Sequence, residues 1–219
     1  NCEHEQHQRR GELGGRDLIA HAEPRPVDAG GERVDAEILD RAEIGRRFHS
    51  APVVRLADAK PMQLGHAAQA DARWRLYVFA GQNDSGSPGS PVHQLAHWLE
   101  THASSPVLLH TRPGGDIDAI IDVRAVFQQT FDQLAYELMP SLLKLKTGKL
   151  GLQDHEKIFC VDHKGACDIF EMRGIHRERG CMVVVRPDQY VAHILPLDDW
   201  DALSAFFAGV LKSLNEKLI

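Results

Sequence analysis

An α/β domain is the fold class this sequence predicts, and three features carry the prediction. Met182-Val183-Val184-Val185 is an unbroken run suited to an interior strand; with the turn Arg186-Pro187-Asp188-Gln189 and the return beginning at Tyr190, it reads as a tight hairpin over residues 181–195. Residues 74–80 are rich in β-formers and lead through a Gly/Ser/Pro loop into a helix opening at Pro91. Last, Asp198 or Asp199 caps a helix that sets Trp200, Leu203, Phe207, Val210, Leu211, Leu214 and Leu218 on one face, which must cover the sheet.

The elements follow in order. Residues 1–47 hold no Phe, Tyr or Trp, and Pro24, Pro26, Gly30 and Gly31 break any periodicity. Such a composition buries little, so residues 1–43 are expected to form an irregular or disordered arm. Within it Val34, Ile38, Leu39 and Ala42 fall at helical spacing and predict a short helix over 33–43. The folded domain is expected over 44–219. Residues 52–56 read as a strand, 74–80 as a longer one, 81–90 as a flexible exposed loop and 91–103 as a helix. Residues 107–110 fit either state.

Residues 117–127 alternate around Ile120, Ile121, Val123, Val126 and Phe127 and predict a strand; a helix is expected over 130–139. Gly148 and Gly151 make 142–154 loop-like, 157–162 reads as a strand and 166–173 as one helical turn. In the hairpin, a three-residue connection places its last residue, Gln189, in the left-handed region, a small strain that glycine would remove. The order is strand, helix, strand, a strand after a long connection, hairpin, closing helix. That is the order of a thioredoxin-like fold with a decorated middle.

A chain of 219 residues supports one good core, and a net charge of -6 argues against a surface built for nucleic-acid phosphates. Its apolar runs fall far short of the roughly 20 residues that span a bilayer, and its first residues are charged and histidine-rich rather than signal-like. Four scattered cysteines (Cys2, Cys160, Cys167, Cys181) fit a reducing compartment, so a cytoplasmic location is expected. The chain opens on Asn rather than Met, which is read as a processed, truncated or partial sequence.

Candidate sites are weighed against plainer readings. Disulfide chemistry in this fold needs a thiol after the first long strand; Ala80-Gly81-Gln82-Asn83-Asp84 has none. Cys160 lies inside one apolar strand and Cys181 opens another, so both are expected to be small core residues competing for the same interior. Cys160, His163, Cys167 and Cys181 are a conceivable zinc set, but their spacing matches no ligand knuckle and strand packing is preferred. His93 and His97 share a helix face, yet Leu95, Trp98 and Leu99 set the buried stripe, which leaves the histidines on a solvated edge. His4 and His7 sit in the polar arm and support no assignment. Gly11, Gly14 and Gly15 follow no strand, and Pro88 removes a donor from the 86–90 loop, so nucleotide phosphates have no evident seat.

Three blocks carry a family resemblance. Residues 45–53 (GRRFHSAPV), then Leu64-Gly65-His66 with 74–81 (WRLYVFAG), then 180–191 (GCMVVVRPDQYV) resemble, in register, the C-terminal domain of phenol hydroxylase-type flavoprotein monooxygenases, in the branch acting on phenol or 3-hydroxybenzoate. The resemblance covers residues 44–219. It implies a parent that binds FAD in a separate Rossmann-like domain, uses NADPH and hydroxylates beside a phenolic hydroxyl, with the C-terminal domain giving homodimer contacts and packing on the FAD and substrate domains. Residues 1–43 do not resemble what precedes this domain, and read as an out-of-frame segment or a linker.

No catalytic, cofactor-binding or metal-ligating residue is assigned in this chain, and alone it is expected to be inactive. Two alternatives remain: an independent thioredoxin- or peroxiredoxin-like protein, and a Cys/His metal module. A domain made to pack on a larger partner should expose apolar surface.

Overall fold

The computed structural model describes residues 44–165 and 168–212. The helix expected over 33–43, together with Cys2, Cys167, Leu214 and Leu218, lies outside them. The strands are β1 (Pro52–Arg55), β2 (Lys60–Gln63), β3 (Trp74–Phe79), β4 (Ile121–Phe127), β5 (Lys146–Thr147), β6 (Leu152–Gln153), β7 (Ile158–Val161), β8 (Cys181–Val185) and β9 (Val191–Leu195). The helices are α1 (Leu64–Ala67), α2 (Pro91–Thr101), α3 (Pro106–His110), α4 (Ile169–Arg173) and α5 (Trp200–Val210).

Seven strands form one sheet in the order β2-β1-β7-β4-β3-β8-β9. β3 pairs parallel with β4, and β4 with β7, so each return needs a crossover; β8 and β9 pair antiparallel and need only a turn. β3-α2-β4 followed by the β8-β9 hairpin and α5, with β8 antiparallel to β3, is the thioredoxin-like arrangement. β1 and β2 extend it beyond β7, and neither β2 nor α1 was anticipated.

Both faces of the sheet are buried, because period-two alternation sends each strand's side chains into two separate cores. Leu76, Val78, Val123, Ala125, Phe127, Cys160, Met182 and Val184 meet α2, α3 and α5 on one face. Tyr77, Phe79, Val126, Phe159, Cys181, Val183 and Val185 meet Phe48, Leu64, Ile169 and Phe170 on the other.

α2 forms because Ser90 caps it, Pro91 opens it, and Val92, Leu95, Ala96, Trp98 and Leu99 recur at helical spacing toward the sheet. Asp199 caps α5 by accepting from the Ala202 N–H, which decides between the two expected caps. Leu203 and Phe207 are buried as expected, but the helix stops at Val210, whose side chain is 45% exposed; Leu211 packs on the core from beyond the helix end.

Three middle segments depart from expectation. In place of a helix over 130–139 there is a turn, with the Gln133 N–H on the Thr130 carbonyl at 3.0 Å, and a single 3-10 turn over Tyr136–Leu138. Pro140 holds Met139 extended, and the buried Leu134 and Met139 are five positions apart, off helical spacing. The loop expected over 142–154 contains the two-stranded β5-β6 ribbon, and residues 107–110 fall within α3.

Candidate functional site

In this fold the junction between β3 and α2 is where a reactive group would gain most from a helix N-terminus. Here the chain fills it itself. Asp84 is 3% exposed; its Oδ1 accepts from the Gly86 N–H at 2.8 Å and its Oδ2 from the Val92 N–H at 2.7 Å. The loop therefore folds back rather than standing in solvent throughout: Gly86 is buried while Pro88 and Gly89 are exposed. Gly86 has φ +71°, and a Cβ there would lie 2.5 Å from Met139 Sδ, so its glycine serves close packing.

The two described thiols lack reactive surroundings. Cys160 and Cys181 are both fully buried, and burial pushes each thiol up to about 12. Contrary to the expectation of a shared interior, Cys160 faces the core under α2 and Cys181 the opposite one. Odd and even strand positions face opposite ways, and the β7 and β8 registers put the two cysteines on different parities. His163 Nε2 lies 3.0 Å from the Gln128 carbonyl oxygen. Among the described residues no group of three His, Cys, Asp or Glu is placed to hold a metal. His97 is exposed and His93 half-buried on the outer side of α2, with Leu95, Trp98 and Leu99 inward.

The largest polar feature was missed from sequence. Asp122, fully buried in β4, meets Lys157 Nζ at 2.5 Å, Arg124 at 2.8 Å and Arg75 at 3.0 Å. Lys157, also fully buried, reaches Asp118 at 2.6 Å, and Arg73 joins Asp118 to Asp71 at 2.9 and 2.8 Å. Burial raises the Asp122 carboxyl, but Arg124, Lys157 and Arg75 outweigh it and hold the pKa below the usual value. Burial opposes the same shift at Asp71, where hydrogen bonds from Arg75 and Arg73 bring the carboxyl to about 2. The signal lay in the strand pairing: Arg75 stands opposite Asp122 in the parallel β3-β4 register.

The quoted sequence blocks meet in space. Gly45 and Phe48 N–H groups donate to the Val191 and Gln189 carbonyls at 2.8 and 2.7 Å, and the Leu64 N–H to the Ala51 carbonyl at 2.8 Å. Phe48 stacks on Tyr77 at 4.4 Å, and the Arg173 guanidinium lies 3.7 Å over Phe48 while donating to the His49 carbonyl. Burial brings the Arg173 pKa down to about 10. Between Phe48, Arg75, Tyr77 and Gln189 a crevice encloses only about 20 Å³, room for one water. A groove of about 570 Å³ beside β2 is open to solvent and is lined by Lys60 and Pro61 of that edge strand together with His66 and Glu156. The shared blocks thus form a structural clasp.

The model of the family described as phenol hydroxylase, C-terminal dimerisation domain, matches residues 20–215. The chain belongs to this family. A 3-hydroxybenzoate 4-monooxygenase of Comamonas testosteroni is 54% identical over 171 residues, which cover 78% of this chain and 27% of that protein. An FAD-dependent monooxygenase of Aspergillus terreus is 32% identical over 80% of this chain and 29% of its own length. The chain therefore spans between a quarter and a third of the curated relatives it matches. A solved thiol peroxidase from Chromobacterium violaceum aligns at 10% identity and TM-score 0.45 over 79% of this chain and 90% of that one.

The family's larger members suggest FAD, and the β3-α2 junction of this dimerisation domain does not fit it. A flavin pyrophosphate needs free N–H groups at a helix N-terminus. Asp84 has taken those of Gly86 and Val92 and would present a carboxylate to the phosphates. No flavin-dependent step is derived for these residues. Among the described residues no helix is long and apolar enough to cross a membrane.

Proposed function

We propose that this chain is the architectural, homodimer-forming domain of a cytoplasmic FAD- and NADPH-dependent aromatic hydroxylase, and that it supplies no catalytic, cofactor-binding or metal-ligating residue itself. The observation that carries the reading is the 54% identity to a 3-hydroxybenzoate 4-monooxygenase across most of this chain. The substrate of the assembled enzyme is then a phenol such as 3-hydroxybenzoate, and the domain's partners are a second copy and the FAD and substrate domains. Support comes from the closed β3-α2 junction and from a clasp built of backbone hydrogen bonds and stacked rings, in which Arg173 is spent on the Phe48 ring and the His49 carbonyl. The folded unit is read as running from residue 44 onward, while the family match reaches back to residue 20.

The test is a titration of the purified chain with FAD, followed by flavin fluorescence, then NADPH oxidation with 3-hydroxybenzoate or phenol added. Unquenched flavin and no phenol-stimulated oxidation are expected. Stoichiometric flavin binding, or oxidation stimulated by either phenol, overturns the reading.

A further inference from the structure

Among the described residues, the four most exposed large apolar side chains are Leu150 (82%), Leu152 (66%), Leu138 (49%) and Phe131 (47%). All fall in one stretch of sequence, and the structure joins its two halves. Lys144 Nζ donates to the Glu137 carbonyl at 2.9 Å, and Gln153 Nε2 donates to the Tyr136 hydroxyl at 3.1 Å. The β5-β6 ribbon therefore stands beside the loop over 130–139.

Register fixes which way the ribbon faces. Lys146 pairs with Gln153 and Thr147 with Leu152. Cross-strand partners share a face and neighbours alternate, so with Gln153 turned to Tyr136, Leu152 points away from the body. At the tip the Gly151 N–H closes a turn on the Gly148 carbonyl at 3.0 Å, and both glycines take positive φ, +59° and +72°, with open space where a Cβ would be. Lys149 and Leu150 occupy the two corners. Turn corners favour small polar residues, so an exposed leucine there serves nothing within the chain.

Charge at the ribbon tip is opposite to charge on the loop. Lys149 stands at the tip with Leu150 and next to Leu152, while Lys146 lies on the Gln153 face; the neighbouring loop carries Asp132 and Glu137 beside Phe131 and Leu138, with Lys144 reaching the Glu137 carbonyl and Asp116 accepting from the Gly148 N–H at the foot of the tip. One is a basic apolar prong and the other an acidic apolar seat. A two-fold interface requires a patch that complements itself, residue i meeting j while j meets i. A prong and a seat side by side meet that requirement, with the axis passing between them.

We infer that the β5-β6 prong of one copy docks on the 131–138 seat of a second copy of this chain, and reciprocally, forming the dimer contact. The inference rests on the dimerisation reading above and assigns it a surface. Sedimentation equilibrium of the full chain beside a Leu150→Asp/Leu152→Asp variant tests it, with circular dichroism showing that the variant folds. Each lost leucine contact counts twice across a two-fold axis, so the dimer Kd should rise at least about 100-fold. Carbodiimide treatment of mixed light and heavy-isotope chains should give mixed-isotope peptides linking Lys149 to Asp132 or Glu137. A dimeric wild type with an unchanged Kd in the variant overturns the surface and leaves the dimerisation reading standing. A wild type that stays monomeric at every concentration overturns both. If the variant fails to fold, the cross-links decide: their presence supports the surface and their absence from a dimeric wild type overturns it.

Discussion

Asp122→Asn keeps the side-chain shape and removes one charge from the centre of the buried network. Three cations, Lys157 at 2.5 Å, Arg124 at 2.8 Å and Arg75 at 3.0 Å, then lose a shared counterion that is wholly shielded from water. Breaking a buried pair from one side destabilises by about 3–5 kcal/mol, against a total stability of about 5–15 kcal/mol for a domain. In a chain of this size that lowers Tm by about 6–20 °C. The Asp122 pKa is depressed in the folded state, so its stabilisation is complete above about pH 4 and is lost as pH falls through the folded value. Urea unfolding at neutral pH and again near pH 3 should therefore show a gap between wild type and variant that narrows on acidification. A variant within about 1 kcal/mol of wild type at neutral pH, with unchanged m, refutes the assignment of the network as the buried lock between β3, β4 and β7.

Three further substitutions or reactions follow from the same geometry. Asp84→Ala removes the acceptor for the Gly86 and Val92 N–H groups, and should destabilise by about 2 kcal/mol in urea melts; a loss below about 0.5 kcal/mol would mean the helix start does not depend on it. Gln189, at φ +70°, should be improved by glycine: Gln189→Gly should raise stability by about 0.5–1 kcal/mol, less the exposed 3.1 Å contact from Arg47, and a loss of stability would refute the strain. With both thiols held near 12, brief alkylation near neutral pH should leave the peptides of Cys160 and Cys181 unmodified and label them fully after unfolding; rapid labelling of either in the native chain contradicts its burial.

The hairpin was legible because a β-branched run and a Pro-Asp turn state the same structure locally, and Gln189 took the left-handed φ expected of it. α2 and α5 were legible from caps followed by helical spacing. The segment over 130–139 was not, since its apolar residues are held by a turn and by Pro140 rather than by a repeating face. The buried network was hidden for another reason. Arg75, Asp122 and Arg124 alternate with apolar residues, which reads locally as the wet side of a half-covered strand. Only the clasp over 44–51, with α1 and α4, makes that second face an interior, and those covering pieces are short and irregular in sequence. The β3-α2 junction was legible as lacking a thiol, but not as closed, because Asp84 acts on an N–H eight residues along the chain.

The central claim, a dimerisation domain whose β3-α2 junction is closed to flavin, meets its most direct test in one experiment. Sedimentation equilibrium of the full chain with added FAD, followed in both the protein and the flavin absorbance bands, should give a species of twice the chain mass that carries no flavin. A monomer at every concentration, or flavin that sediments with the protein, would contradict it.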